Sequence, residues 1–421
     1  MTDSRAHVLE LCAKAKAASP LLAKASGAQL NRFLLDLAEI LRESADTITA
    51  ANAEDISFAK ANDLSEHMLD RLMLNKARLD AIADSVVDVA KLPSPIGGGE
   101  VFTRPNGLII RRTRVPLGTV GMIYEARPNV TVDAAVLCLK TGNTVVLRGG
   151  KEAINSNRAL VDCIRSSLAK NSLPEDACCL ITDTSRASST ALMTMRGYID
   201  VLIPRGGKGL ISSVVENATV PVIETGAGVC HLYVDKTADT DMAVKLAVNA
   251  KTSRPAVCNA IETLLVHREI AAKALPAISA ALPEVELRCD DFCHDIIKKS
   301  GFAGKLIHAA DTDWDEEYDD LILAVKAVDS TGEAIEHINT HSTRHSDCIV
   351  TSDIAAANAF RSEVDSACVY VNASTRFTDG GEFGLGAEIG ITTQKLHARG
   401  PMGLDALTTV KYLIDGDGQI R

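Results

Sequence analysis

The sequence has few aromatic residues and no long hydrophobic run. One tryptophan, six tyrosines and eight phenylalanines make up 4% of its 421 residues, so any core must be built mainly from aliphatic side chains. Apolar residues form 46% of the chain against 24% charged, a globular balance that excludes intrinsic disorder. A chain of this length predicts two domains of about 150 to 200 residues each.

Signals that direct a chain to a membrane or to secretion are also lacking. No uninterrupted apolar segment reaches the roughly 18 residues of a membrane span. The opening residues, MTDSRAHVLELC, have no basic stretch followed by an apolar one. We therefore expect a cytoplasmic protein without membrane contact. The net charge of −11 argues against a general nucleic-acid binder, so any anion site must be local.

The eleven cysteines lack the even count and regular spacing of a disulfide framework, which predicts free thiols. The segment RCDDFCHD holds Cys289, Cys293 and His294 but lacks the second half of a ligand pair, so no metal is predicted. Three histidines follow one another at every fourth residue, and we expect them on the solvated face of a helix: His337, His341 and His345.

The segment from Ser4 to about Lys91 is predicted to be helical. Leucines at 30, 34, 37 and 41, with Ile48, are spaced to lie on one helix face. After the breaker cluster PSPIGGGE, two extended runs flank Pro105-Asn106-Gly107, and Asn-Gly between such runs indicates a β-hairpin. We interpret this hairpin as an oligomerisation arm.

Beyond the hairpin, apolar strands alternate with amphipathic helices. Five such strands, GTVGMIY, NTVVL, CCLIT, DVLIP and VPVIE, predict a parallel, doubly wound α/β sheet whose strand ends carry ligand. A second αβ series starts near Cys230 and is long enough for another domain. The tail, TTVKYLIDGDGQIR, is predicted to add a strand that pairs with the hairpin region of a neighbouring subunit.

Two glycine pairs follow strands in the first series. They lie in Arg148-Gly149-Gly150-Lys151 and in Arg205-Gly206-Gly207-Lys208. Glycine lets the main chain approach a phosphate, and the N-terminus of the following helix attracts an anion. Neither segment is a G-x-G-x-x-G or Walker motif. Each can be an ordinary turn, but two in one sheet favour a dinucleotide site.

Cys258 is the cysteine whose setting suggests chemistry. It lies in a polar, glycine-free connection, KTSRPAVCNA, where Pro255 restricts the backbone and Arg254 is close enough in sequence to stabilise a thiolate. A buried structural thiol is the alternative, and it suits Cys138, Cys163 and Cys348, which lie in apolar runs. Glu224 is either a general base or a turn carboxylate.

Several segments together resemble the gamma-glutamyl phosphate reductase family of the aldehyde dehydrogenase superfamily. They cover nearly the whole chain: EARPNVTVDAA, VLRGGKEA, IPRGGKGL, VIETGAG, the decapeptide around Cys258, VNASTRFTDGGEFG and AEIGITTQKLHARGPMGLDALTTVKY. The resemblance implies an aldehyde dehydrogenase-like fold with three parts. A Rossmann-type cofactor domain would comprise 1–100 and 116–227, and an α/β catalytic domain 228–372. A hairpin and tail strand for oligomerisation would comprise 101–115 and 406–421, and residues 373–405 would return to line the active site.

The resemblance also implies a reaction. Cys258 is at the position of the nucleophile, with its own main-chain N–H and the side chain of Asn259 as candidate oxyanion donors. The thiolate would displace phosphate from L-glutamyl 5-phosphate, and NADPH would reduce the resulting thioester to L-glutamate 5-semialdehyde, the second step of proline biosynthesis from glutamate. Glu224 matches the water-activating glutamate of hydrolytic relatives, so its role here stays open.

Ligand positions follow from the same resemblance. Arg148 and Lys151 would meet the adenosine ribose, where the Lys151 cation favours the 2′-phosphate of NADP(H), and Gly206 and Gly207 would face the pyrophosphate. Residues in the matching motifs would bind the substrate and its anionic groups: Arg127, Arg254, Asn372, Thr375 and Arg376. We also expect a homo-oligomer and an association with the glutamate kinase that makes the labile substrate.

Two other classes of function remain to be separated from this one. A hydrolytic NAD(P)-dependent aldehyde dehydrogenase would work without phosphate. A non-enzymatic redox sensor would have its Cys258 oxidised rather than acylated.

Overall fold

The computed structural model describes residues 2–421 and divides into two compact units. The first unit comprises the residues up to Thr225 together with 384–390 and 402–421. The second comprises 226–383 and 391–401. The segment 373–405, predicted to return as one piece, is therefore shared between both units. Within residues 2–421, no helix is both long and apolar enough to span a bilayer.

Five helices open the first unit: α1 (Thr2–Leu22), α2 (Gly27–Glu43), α3 (Ala45–Ala61), α4 (Glu66–Leu72) and α5 (Lys76–Lys91). The Ser26 hydroxyl accepts the Gln29 N–H and caps α2, whose four predicted leucines are buried. Ile48 is also buried, but it lies on α3, because α2 ends at Glu43 and Ser44 separates the two helices. The predicted apolar face is thus shared by two helices.

The predicted hairpin is confirmed. Strands β1 (Gly99–Thr103) and β2 (Ile109–Pro116) pair antiparallel, with Thr103 opposite Ile109. Their loop contains Pro105-Asn106-Gly107, and Gly107 has a φ of +88°, a conformation that favours glycine.

A parallel α/β series follows in the first unit: β3 (Thr119–Tyr124), α6 (Pro128–Lys140), β4 (Thr144–Arg148), α7 (Ile154–Lys170), β5 (Cys178–Leu180), α8 (Arg186–Met193), β6 (Val201–Arg205) and α9 (Lys208–Asn217). Its parallel sheet has the order β5-β4-β3-β6. The fifth predicted strand, VPVIE, forms only an isolated bridge between Val222 and Leu202. Pro221 has no N–H to continue the ladder.

The second unit has fewer residues but a sheet with more strands, and its elements are β7 (Cys230–Val234), α10 (Thr240–Thr252), β8 (Ile261–His267), α11 (Arg268–Ala280), β9 (Glu286–Cys289), α12 (Asp291–Lys299), β10 (Leu306–His308), β11 (Ile322–Val328), α13 (Thr331–His341), β12 (Ser346–Val350), α14 (Ile354–Glu363), β13 (Cys368–Val371), β14 (Ile391–Thr392) and β15 (Gly400–Pro401). Seven strands form a parallel sheet in the order β10-β9-β11-β8-β7-β12-β13. Its central strands β7 and β8 are buried along their whole length, as expected where helices cover both faces.

The last strand, β16 (Thr408–Asp415), belongs to the first unit and pairs antiparallel with β2, from Thr408 opposite Pro116 to Asp415 opposite Ile109. The tail therefore pairs with the hairpin of its own chain. The predicted pairing with a neighbour's hairpin stays a prediction. The three-stranded sheet β1-β2-β16 exposes several large apolar side chains: Val101, Phe102, Tyr412, Leu413 and Ile414.

Candidate active site

Cys258 lies in the connection between α10 and β8, three residues before the N-terminal end of strand β8 in the seven-stranded sheet. It is half-buried, as is Cys368, whereas the other nine cysteines are buried. Burial raises the pKa of Cys348 to about 12 and raises the pKa of Cys163. These thiols, and Cys138 with them, are enclosed in the core as predicted, so Cys258 has the more accessible sulfur.

The main chain of Cys258 is held closely by the segment that leads into β7 and by the first residue of that strand. A Cβ added at Gly228 would lie 1.6 Å from the Cys258 carbonyl oxygen and 2.5 Å from its Cα, so only glycine fits there. The Cys230 thiol donates a hydrogen bond to the same oxygen at 3.1 Å. Cys258 therefore sits on a backbone that has little freedom to move.

Two arginines accompany Cys258. Arg376 lies in a 3₁₀ turn after β13, and its Nε donates to the Ser253 hydroxyl at 3.2 Å. Burial lowers the pKa of Arg376, the charge of nearby Arg254 lowers it further, and Cys258 and Asp379 act in the opposite direction. The charges of Arg376, Arg254 and Cys258 therefore influence one another, and a bound anion would stabilise the two guanidinium groups.

Asn259 is buried and faces Arg376 rather than solvent. Its amide oxygen accepts a hydrogen bond from the Arg376 guanidinium. Its amide nitrogen donates to the main-chain oxygens of Arg376 at 3.3 Å and Thr378 at 2.9 Å. The Asn259 side chain, expected to donate to the oxyanion, thus forms its hydrogen bonds to the segment that carries Arg376.

The other two predicted substrate residues of this unit also make internal contacts. Thr375 is buried, and its hydroxyl donates to the Asn259 carbonyl at 2.7 Å. Asn372 has a φ of +58°. Its side-chain oxygen accepts the Thr351 N–H at 2.9 Å, and its side-chain nitrogen donates to the Thr351 carbonyl at 2.9 Å. These contacts hold the loop from Asn372 to Thr378 in place.

The remaining predicted residues lie in the first unit. Arg148 ends β4, and its guanidinium donates to the carbonyls of Thr184 at 2.6 Å and Ser185 at 2.9 Å, so it fixes the loop before α8. Lys151 is exposed, with its Nζ 5.9 Å from the centre of the Phe58 ring. Of the two cations at the end of β4, the Lys151 ammonium is exposed, whereas the Arg148 guanidinium is bonded to main-chain oxygens.

The two glycine pairs differ in what occupies the following helix N-terminus. At α7, the buried Asp55 carboxylate accepts the N–H groups of Asn155 at 3.2 Å and Ser156 at 2.8 Å. At α9, the exposed Glu125 carboxylate accepts the Gly207 N–H at 2.9 Å, and a Cβ added at Gly206 would lie 2.7 Å from its carboxyl carbon. The second pair therefore has an exposed carboxylate at the helix N-terminus, a position that also stabilises other anions.

Arg127 and Glu224 complete the set. Arg127 is half-buried and precedes α6, and its N–H donates to the Glu125 carbonyl at 2.7 Å, so it lies in the turn that contacts Gly207. Glu224 is half-buried and follows the short bridged segment of Val222. Glu125 begins the segment EARPNVTVDAA, but no local pattern in the sequence indicates that its carboxylate meets Gly207, 82 residues further along the chain.

The histidines predicted on a solvated face are placed differently. His337 is buried against Trp314 and His231, at ring-centre distances of 5.6 and 5.5 Å, and burial lowers its pKa to about 2. His345 is buried as well, so the prediction is wrong for both. Across residues 2–421, no group of three His, Cys, Asp or Glu side chains has the geometry to bind a metal ion.

Comparison with known proteins agrees with this architecture. The model of the "Aldehyde dehydrogenase family" matches residues 2–318. The chain is 55% identical over 418 residues to the gamma-glutamyl phosphate reductase of Carboxydothermus hydrogenoformans, covering 99% of each chain. It is 55% identical over 412 residues to that of Clostridium perfringens, covering 97% of this chain and 98% of the relative.

Solved structures give the same result. The crystal structure of the Thermotoga maritima gamma-glutamyl phosphate reductase is 45% identical, with a TM-score of 0.94 over 99% of this chain and 100% of that one. An acetylating aldehyde dehydrogenase from Geobacillus thermoglucosidasius, 18% identical with a TM-score of 0.73 over 100% of this chain and 98% of its own, shares the fold. The chain therefore belongs to the aldehyde dehydrogenase family, within the group formed by the gamma-glutamyl phosphate reductases.

Proposed function

We propose that this protein reduces L-glutamyl 5-phosphate to L-glutamate 5-semialdehyde and phosphate, the second step of proline biosynthesis from glutamate, with NADPH as the reductant. The similarity over the whole chain to enzymes named for this reaction supports the proposal. The observation that carries it in the structure is the Arg376 guanidinium, which contacts Ser253 and Asn259 in the segment that holds the half-buried Cys258. The charge of Arg254 also acts on this guanidinium. A doubly charged acyl phosphate suits such a site.

The chemistry takes place on the Cys258 sulfur. The thiolate attacks the acyl carbon, the C–O bond to phosphate breaks, and inorganic phosphate leaves with both electrons of that bond. A nicotinamide cofactor, when bound, supplies the hydride that reduces the thioester carbon. The C–S bond of the thiohemiacetal then breaks, which releases the aldehyde and restores the thiolate.

Each candidate site residue of the second unit has a role in this reaction. Arg254 and Arg376 bind the anionic groups of the substrate, and the main-chain N–H of Cys258 donates to the developing oxyanion. Asn259 positions Arg376 through the amide contacts described above. Asn372 and Thr375 shape the loop that presents Arg376.

The first unit is proposed to bind the cofactor. Gly206 and Gly207 would hold the pyrophosphate in place of the Glu125 carboxylate, because both anions suit the N-terminus of α9. The exposed Lys151 ammonium would pair with a 2′-phosphate, which selects NADP(H) over NAD(H). Arg148 shapes this end of the sheet through its bonds to Thr184 and Ser185.

We further propose a homo-oligomer that covers the exposed apolar side chains of the sheet β1-β2-β16. A cytoplasmic location and association with the substrate-producing kinase are proposed from the lability of an acyl phosphate, which favours use close to its source.

The decisive experiment is to measure NADPH formation from NADP⁺ and freshly prepared glutamate 5-semialdehyde, with and without inorganic phosphate. We expect turnover only with phosphate, because phosphate must resolve the thioester when the reaction runs in this direction. Equal turnover without phosphate would make water the acceptor and Glu224 its base, and the protein would then be a hydrolytic aldehyde dehydrogenase. Cys258→Ser is expected to fold and bind NADPH but to lose turnover.

A further inference from the structure

A buried ion pair joins the two ends of the segment that carries Cys258. We name residues 253–260, between α10 and β8, the nucleophile connection. Lys251 lies in the last turn of α10, just before this segment, and Glu262 is the second residue of β8, just after it. The Lys251 ammonium and the Glu262 carboxylate are in direct contact, and their side chains are 0% and 1% exposed.

This pair is costly to bury. Burial lowers the pKa of Lys251 and raises the pKa of Glu262 to about 8, while each partner partly offsets the effect on the other. Buried ion pairs of this kind are often no more stabilising than well-packed apolar side chains of the same volume. Such a pair instead favours one arrangement of the two chain segments, because only that arrangement brings the two charges into contact. The pair therefore restricts geometry more than it adds stability.

The residues packed around the pair connect it to the nucleophile. The Tyr318 ring lies 5.9 Å from the Lys251 ammonium, and Asp319 and Asp320 raise the pKa of Lys251. Their neighbour Glu317 accepts the Gly228 N–H at 2.7 Å. Gly228 in turn packs against the main chain of Cys258.

We propose that Lys251 and Glu262 are positioning residues for Cys258: their ion pair fixes both ends of the nucleophile connection and so aims the thiolate at the acyl carbon. The inference rests on the proposed role of Cys258 as the nucleophile. Neither side chain is placed to touch the substrate. Their effect is expected on kcat and on the reactivity of the thiol rather than on substrate affinity.

The test replaces the pair by apolar side chains of similar size, Lys251→Met with Glu262→Leu. This double variant leaves no unpaired charge, so we expect it to fold and to melt no lower than the original protein. Its kcat should fall at least 10-fold while KM for glutamate 5-semialdehyde changes less than 2-fold. Alkylation of Cys258 by iodoacetamide, followed by mass spectrometry, should change in rate as well. A double variant with the original kcat and alkylation rate would overturn the proposal.

A matched control and a second variant keep the result unambiguous. The exposed pair of Arg268 and Asp329, 2.7 Å apart in the same unit, is replaced in the same way and should leave kcat unchanged. If the apolar double variant does not fold, Glu262→Asp retains both charges and shortens one side chain by a methylene. We expect it to lower kcat about 3-fold or more, and an unchanged kcat again overturns the proposal.

Cys258→Ser is assayed in parallel to separate this inference from the proposed function. If Cys258→Ser is inactive and the apolar double variant is fully active, only the positioning role fails. If Cys258→Ser remains active, the nucleophile assignment fails and the positioning role falls with it.

Discussion

The close approach of Gly228 to Cys258 leads to a quantitative prediction for Gly228→Ala. The new Cβ would lie 1.6 Å from the Cys258 carbonyl oxygen, whereas ordinary contact requires about 3.5 Å, so the two segments must separate by about 2 Å. Misplacing a catalytic group by about 1 Å can cost on the order of 100-fold in rate. We therefore expect kcat of Gly228→Ala to fall about 100-fold or more, and stability to fall by about 1 to 3 kcal/mol from overpacking.

The assay is phosphate-dependent NADPH formation, with circular dichroism to verify that the variant is folded at the assay temperature. Gly332→Ala is the control in the same unit. Its Cβ would meet only the Ser330 hydroxyl oxygen at 3.7 Å, and alanine is favoured over glycine by about 0.5 to 1 kcal/mol inside a helix. Gly332→Ala should keep the original kcat. A folded Gly228→Ala enzyme with kcat within 2-fold of the original would refute the reasoning.

Three further predictions concern charge. Lys151→Glu should shift the ratio of kcat/KM for NADPH over NADH at least 10-fold toward NADH, and an unchanged ratio would reject its contact with the 2′-phosphate. Glu125→Gln should lower KM for NADPH about 2- to 5-fold, because the carboxylate no longer competes at the Gly207 N–H; a higher KM would show that Glu125 helps to bind the cofactor. His337 has a pKa of about 2 in the folded protein and about 6.5 when unfolded, so the unfolded chain binds more protons below pH 6.5 and stability falls with acidification. At pH 5 this loss in the free energy of unfolding is about 2 kcal/mol. In His337→Leu the urea midpoint of unfolding should therefore change less between pH 7 and pH 5 than in the original protein. An equally steep pH dependence in the variant would contradict the assignment to His337.

Much of the fold could be predicted from local patterns. The leucines of α2, the Asn-Gly turn of the hairpin and the alternation of strands with helices all reflect interactions between residues near in sequence. The errors have physical causes. Ser44 ends α2 without a glycine or proline to mark the break, and Pro221 limits the fifth predicted strand to one bridge.

The candidate site shows the same limit more strongly. Cys258 could be selected because its polar connection and neighbouring arginine are local features. The contact of Asn259 with Arg376 joins residues 117 positions apart, and only the structure reveals that this amide faces a guanidinium. His337 was predicted on an exposed face because helix spacing alone does not show that Trp314 and His231 cover it.

The central position of β2 has a consequence for synthesis on the ribosome. Ile110 of β2 pairs with Ile414 of β16, which is made about 300 residues later. At translation rates of about 5 to 20 residues per second, one edge of β2 stays without its partner for roughly 15 to 60 s. An unpaired edge of this kind can join strands of other chains. The three-stranded sheet is therefore the part of the nascent protein most in need of protection, and conditions that slow translation should increase aggregation through it.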